Sequence, residues 1–174
     1  MKNFRLLIMS SLFILMCAMA TMAQSVQTDY DHNFKLGRLK TYTFAQQERR
    51  ASDPLAASPL NDRRIHDALD LQLRANGLSE NAQPDFIISY FVTTRKSLDV
   101  QDNRFGFFQR MGTINVNQIT EGTIVVMFVD RASNLEVWRG YVSGVVNPRD
   151  LDKDVNKGIT KLVQKFKKNQ EGKK

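Results

Sequence analysis

Residues 122–142, GTIVVMFVDRASNLEVWRGYV, constrain the fold of this chain more than any other stretch. Ile124, Val126 and Phe128 alternate with Val125, Met127 and Val129. A strand with apolar residues on both faces is a central strand, covered at least in part on both sides. Residues 130–134 interrupt it with polar side chains, enough for a hairpin loop of about four or five residues. In the returning strand, Glu136, Trp138, Gly140 and Val142 are expected on one face, with Val137, Arg139, Tyr141 and Ser143 on the other.

The other elements follow from period and punctuation. A first strand is expected over residues 39–44, then a polar, proline-marked connection over 45–61. A helix over 60–76 places Ile65, Ala68, Leu69 and Leu73 in one stripe, with Ser58 or Asn61 to cap it and Gly77 to stop it. A second strand begins after Pro84 and extends as far as Val100. A last helix over 150–168 gathers Leu151, Val155, Ile159, Leu162, Val163 and Phe166, with acidic residues early and lysines late, as the helix dipole favours. Gly158 inside it costs about 1 kcal/mol of propensity and lets the helix approach the sheet. The predicted class is α+β: one mixed, mostly antiparallel sheet of about four strands with two helices on one face. The predicted order is strand-helix-strand-strand-strand-helix.

The chain starts with Lys2 and Arg5, an apolar run from Leu6 to Met16 and the small-residue stretch up to Ala23. These are the parts of a secretory signal peptide, so 1–23 is expected to be a leader and 24–174 a single domain with a basic C-terminal tail. An apolar core this short falls below the roughly 20 residues that span a bilayer. The expected address is the periplasm, or the outer membrane if Cys17 is lipidated. Met16, where lipoprotein processing favours a small residue, argues for an unmodified Cys17. The formal charge is +7, and +5 without Lys2 and Arg5; much of the excess lies near the C-terminus in Lys161, Lys165, Lys167, Lys168, Lys173 and Lys174. For an exported chain, nucleic acid is not the expected partner, while contact with a membrane surface stays open.

An ordered set of residues carries a resemblance. Asp29-Tyr30-Asp31 with Phe34, Leu39-Lys40-Thr41-Tyr42, Arg64-Ile65 with Ala68, Gly77-Leu78, Pro84-Asp85-Phe86 and Glu121-Gly122-Thr123 are its first parts. With Val129-Asp130 and Val137-Trp138-Arg139-Gly140, the chain resembles the bacterial envelope family called domain of unknown function 4136 over most of its length. Many members resemble lipoproteins, a pattern from which Met16 departs. The resemblance implies an envelope address and a fold, and no catalytic residues.

Chemistry is thinly supplied. Asp29, Asp31 and His32 are the one acidic cluster with a histidine, but neighbours on an extended segment diverge, so a solvated turn is expected and no metal. His66 lies among charged residues, and with two histidines in the chain the supply of bases for hydrolysis is small. There is no Gly-x-Ser-x-Gly and no phosphate-cradling glycine loop. Asp85 and Asp130 are read as strand-end residues that bond local amides, and Trp138 as core. No cofactor is expected.

Residues 101–119, QDNRFGFFQRMGTINVNQI, form a long connection in this reading. Arg104, Phe105, Phe107, Phe108, Arg110 and Met111 are the candidate partner-binding residues, because long loops in compact domains and aromatics among arginines suit recognition. The competing reading folds these phenylalanines over the sheet and makes 113–119 part of the third strand. The expected role is a non-enzymatic interaction or structural module for an unknown envelope protein; a module for a small apolar or glycan-like ligand is the alternative, a hydrolase a third. A homodimer is compatible with exposed edge strands.

Overall fold

The computed structural model describes residues 24–46, 58–102, 114–145 and 149–172. The expected leader, 1–23, lies outside them. Strand β1 (Ser25–Tyr30) is followed by a 3-10 turn (Leu36–Arg38), β2 (Thr41–Phe44), α1 (Pro59–Ala75) and β3 (Ser79–Glu80). Then come β4 (Phe86–Asp102), β5 (Ile114–Asp130), β6 (Glu136–Val145) and α2 (Leu151–Gln170).

Among the described residues the sheet has six strands in the order β1-β6-β5-β4-β2-β3, so the expectation of about four is corrected. The α+β class, the mixed sheet and the two helices stand as read. β1 with β6, β6 with β5 and β5 with β4 pair antiparallel. The crossover through α1 makes β2 parallel to β4, and β3 adds a short parallel edge to β2. The two extra strands have a common cause: each is too short or too polar to announce itself, and each is held by a neighbour's backbone. β1 alternates Val26, Thr28 and Tyr30 with polar residues and takes its register from β6.

Both helices bury one stripe in the same core. Ile65, Ala68, Leu69 and Leu73 of α1 meet Tyr42, Phe86 and Ile88, while Ile159, Leu162, Val163 and Phe166 of α2 complete the cluster over Val126, Phe128 and Trp138. Ser58 caps α1 by accepting from the Asn61 amide at 3.4 Å. Gly77 ends it with φ +82°, the left-handed turn that favours glycine. At the centre, Trp138 stacks on Phe128 at 4.6 Å and meets Phe166 edge-on at 5.3 Å; its indole N–H donates to Asn169 at 3.2 Å. Such aromatic pairs add about 0.5–1.5 kcal/mol each beyond the area they bury.

Two glycines permit this packing. A Cβ on Gly140 would strike Leu162 and the Trp138 ring, and one on Gly158 would strike Val142, so α2 sits close to β6, as the sequence implied for Gly158. The alternation expected for β6 fails at its start. A register shift between Phe128 and Val129 leaves Val137 opposite no residue, and Val137 and Trp138 are both buried in the core. This is a β-bulge, which re-aims one side chain by adding a residue to one strand.

Tyrosines tie α1 to the sheet. Tyr42 Oη donates to Asp70 at 2.6 Å, and Tyr90 Oη donates to Asp62 at 2.7 Å. Burial, and then the adjacent carboxylate, pushes both phenols above the usual tyrosine range. At the β1 edge, Lys165 of α2 donates to the Val26 carbonyl at 2.6 Å, a charged cover over a strand that would otherwise invite pairing.

Candidate functional site

β4 and β5 are each 17 residues long and pair over their whole length, from Phe86↔Asp130 to Asp102↔Ile114. The connection expected over 101–119 is therefore shorter: residues 114–119 belong to β5, as the competing reading had it, and 103–113 lie outside the described residues. Arg104, Phe105, Phe107, Phe108, Arg110 and Met111 all fall in that segment.

The pairing of β5 with β6 stops at Glu121↔Val145, and β2 follows β4 only across Phe86 to Ile88. Beyond Glu121 the described sheet narrows to a ribbon of two strands. Seven further register pairs, Lys96↔Thr120 to Asp102↔Ile114, carry it about 24 Å at roughly 3.4 Å per residue. The six candidate residues are thus tethered to the end of this ribbon.

At the ribbon's base, the sheet face opposite the helices carries Ile87, Phe91, Val125, Met127, Val129 and Tyr141. The cluster under the helices excludes these residues, yet Val125 is buried at 6% exposure and Met127 and Val129 are half-buried, so β5 is covered in part on this face as well. Phe91 is 45% exposed. Arg139 crosses this face and donates to Glu136 at 2.5 Å and to Tyr141 Oη at 3.4 Å. These two partners push its guanidinium above the usual arginine range, and its Nε is buried without a partner among the described residues.

The acidic residues singled out in the sequence are engaged in the fold, and the expectation of purely local amides is corrected: Asp130 bonds its own turn and distant Arg38, while the amides that Asp85 holds are more than forty residues away. Asp130 accepts from Arg38 at 2.7 Å, from the Ser133 amide at 2.8 Å and from Ser133 Oγ at 2.7 Å. Burial alone would raise its pKa; the Ser133 bonds and the Arg38 guanidinium outweigh it and hold the carboxyl below the usual range. Asp85 accepts from the amides of Lys40 and Thr41, both at 2.8 Å, with the same sign: desolvation is overcome by hydrogen bonds. Together they clamp the β5–β6 turn, the entry to β2 and the start of β4, which is a folding task.

Asp29 accepts from the Tyr30 amide at 2.9 Å and Asp31 from the Asn33 amide at 2.8 Å, while the His32 ring packs 4.4 Å from Tyr30. His66 lies against Phe44 at 4.1 Å. Among the described residues no three or more His, Cys, Asp or Glu side chains are grouped to hold a metal ion, and no helix is long and apolar enough to cross a membrane.

Comparison with known proteins places the fold and the family. No curated protein sequence matches the chain. A crystal structure of a PDZ domain protein from Parabacteroides distasonis is similar at TM-score 0.55 and 13% identity, over 87% of this chain. The present chain spans 38% of that protein's length. A PelC dodecamer from Paraburkholderia phytofirmans overlaps 83% of this chain and 97% of its own at TM-score 0.49 and 13% identity. The model of a family described as Domain of unknown function (DUF4136) matches residues 26–166, which takes in every described strand apart from Ser25 and α2 as far as Phe166. The chain belongs to that family.

Proposed function

We propose that this chain is an exported, non-enzymatic cell-envelope module that contacts another envelope component through the β4–β5 ribbon and the aromatic segment at its end. The ribbon is the observation that carries the reading. A two-stranded hairpin is marginal in water by itself and gains from a surface that covers it. Seven register pairs beyond the last β6 partner are more than the core needs. Phe105, Phe107 and Phe108 beside Arg104 and Arg110 have the composition of an interface centre, where aromatics and arginine are enriched. The leader composition of 1–23 supports the envelope address, with anchoring through Cys17 as its lipidated form.

The test is a photo-crosslinking residue at position 107 in intact cells, with the exposed Leu71 of α1 as the control position. A discrete product from 107 alone supports the reading and yields the partner; a product of twice the chain's mass makes the partner a second copy. Equal products from both positions, or none from a folded and exported protein, overturn it.

A further inference from the structure

A narrow cleft of about 70 Å³ opens between the sheet and the first turns of both helices, remote from the outer face and independent of the ribbon reading. Its cause lies in the register. Gly122 of β5 stands opposite Gly144 of β6, in the same rows that carry Ile124 and Val142 into the core. Two facing positions without side chains interrupt an apolar layer that is otherwise continuous.

Steric need does not explain the second glycine. A Cβ on Gly144 would meet Gln24 Cγ at 3.6 Å, ordinary contact, whereas Gly140 and Gly158 have no room for one. The walls are aliphatic, from Ile65, Val92, Ile124, Val142 and Val155. The polar part of the lining includes Gln24 and Asp154. Gln24 Nε2 donates to the Asp154 carbonyl at 2.9 Å, but its Oε1 is buried with no partner among the described residues. A buried acceptor left unmade is costly, and a donor brought by a ligand would remove that cost.

We infer that this cleft binds the end of one unbranched alkyl chain whose head donates hydrogen bonds and bears no negative charge, an alkylammonium or alkyl alcohol. The volume, about half of the roughly 150 Å³ of a cavity that holds a benzene ring, excludes a sugar ring or an aromatic ring. The aliphatic walls select methylenes. The Gln24 oxygen, a buried acceptor, selects a donor and repels a carboxylate head.

The probes are octylammonium, 1-octanol and octanoate at monomeric concentrations, followed by methyl NMR of the full-length protein. Octylammonium and octanol should shift the methyls of Ile65, Ile124 and Val142 saturably, and octanoate should bind at least about tenfold more weakly. Gly144→Leu fills the cleft and should abolish the shifts without lowering the melting temperature. Gln24→Leu, which keeps the volume and removes the acceptor, should weaken octanol about tenfold. No saturable shift from any probe overturns the inference. So does octanoate binding as tightly as octanol, or wild-type binding by a folded Gly144→Leu protein.

Discussion

Replacing Asp130 by Ala tests whether a buried carboxylate in a protein of this family serves the fold or a ligand. Asp130 is 2% exposed and receives three hydrogen bonds, two from Ser133 and one from Arg38. A hydrogen bond to a charged group contributes about 1.5–3 kcal/mol when desolvated. The Arg38 side chain is 55% exposed, so its pair with Asp130 is discounted to less than about 1 kcal/mol. The Ser133 amide and hydroxyl sit in a solvated turn and recover part of their loss from water. The net expectation is about 2–3 kcal/mol of destabilisation, or a melting temperature lower by about 5–10 °C for a domain of this size. Asp130→Asn keeps an acceptor and should lose about half as much. The pH dependence has a fixed sign. The native carboxyl titrates below its unfolded value near 3.9, so its stabilisation is present above that value and lost as pH falls through the native one. Thermal melts of wild type and Asp130→Asn at pH 7 should differ, and the gap should narrow as pH falls below about 4. An Asp130→Ala protein that melts with wild type at pH 7 would refute this reasoning and make Asp130 a candidate ligand-binding group.

Gly158→Ala gains about 1 kcal/mol of helix propensity but drives a methyl into Val142, so net destabilisation of about 1–3 kcal/mol is expected in urea titration. A stabilised variant would show that α2 can retreat at no cost. Excising 97–119 and closing 96 to 120 with Asn-Gly should leave the melting temperature within about 5 °C and remove the position-107 crosslink with its segment. Unfolding on excision would make the ribbon part of the core. Stability should also fall above about pH 10, because Tyr42 and Tyr90 keep their protons in the native state while the unfolded chain loses them. Tyr90→Phe should flatten that alkaline limb at a cost of about 1 kcal/mol at neutral pH.

Much of this fold was legible because long amphipathic stripes and strong alternation need little context. Both helices, the three consecutive strands and the caps at Ser58 and Gly77 are of that kind. β1 was not, because Val26 is its one strongly apolar member and its pairing depends on β6, more than a hundred residues away in register. The bulge at Val137 was invisible for a related reason, since alternation shows the period and not where it slips. The turn bonds of Asp130 were readable from its place at a strand end; those of Asp85 were not, because the Lys40 and Thr41 amides it holds come from the far side of α1 in sequence. The cleft was not, since two glycines 22 residues apart mean nothing until the register sets Gly122 against Gly144. The aromatic segment was legible as composition, and the length of the ribbon that carries it emerged from pairing.

The clasp between Lys165 and the Val26 carbonyl joins residues 139 positions apart, and Gln24 reaches Asp154 across 130. The first of the described strands to leave the ribosome is therefore among the last that can settle. β1 has no edge to join until β6 exists and no lysine to hold it until α2 is complete. Closure of the β1 edge of the sheet thus waits for the synthesis of α2, and until then the two ends of the domain stay apart.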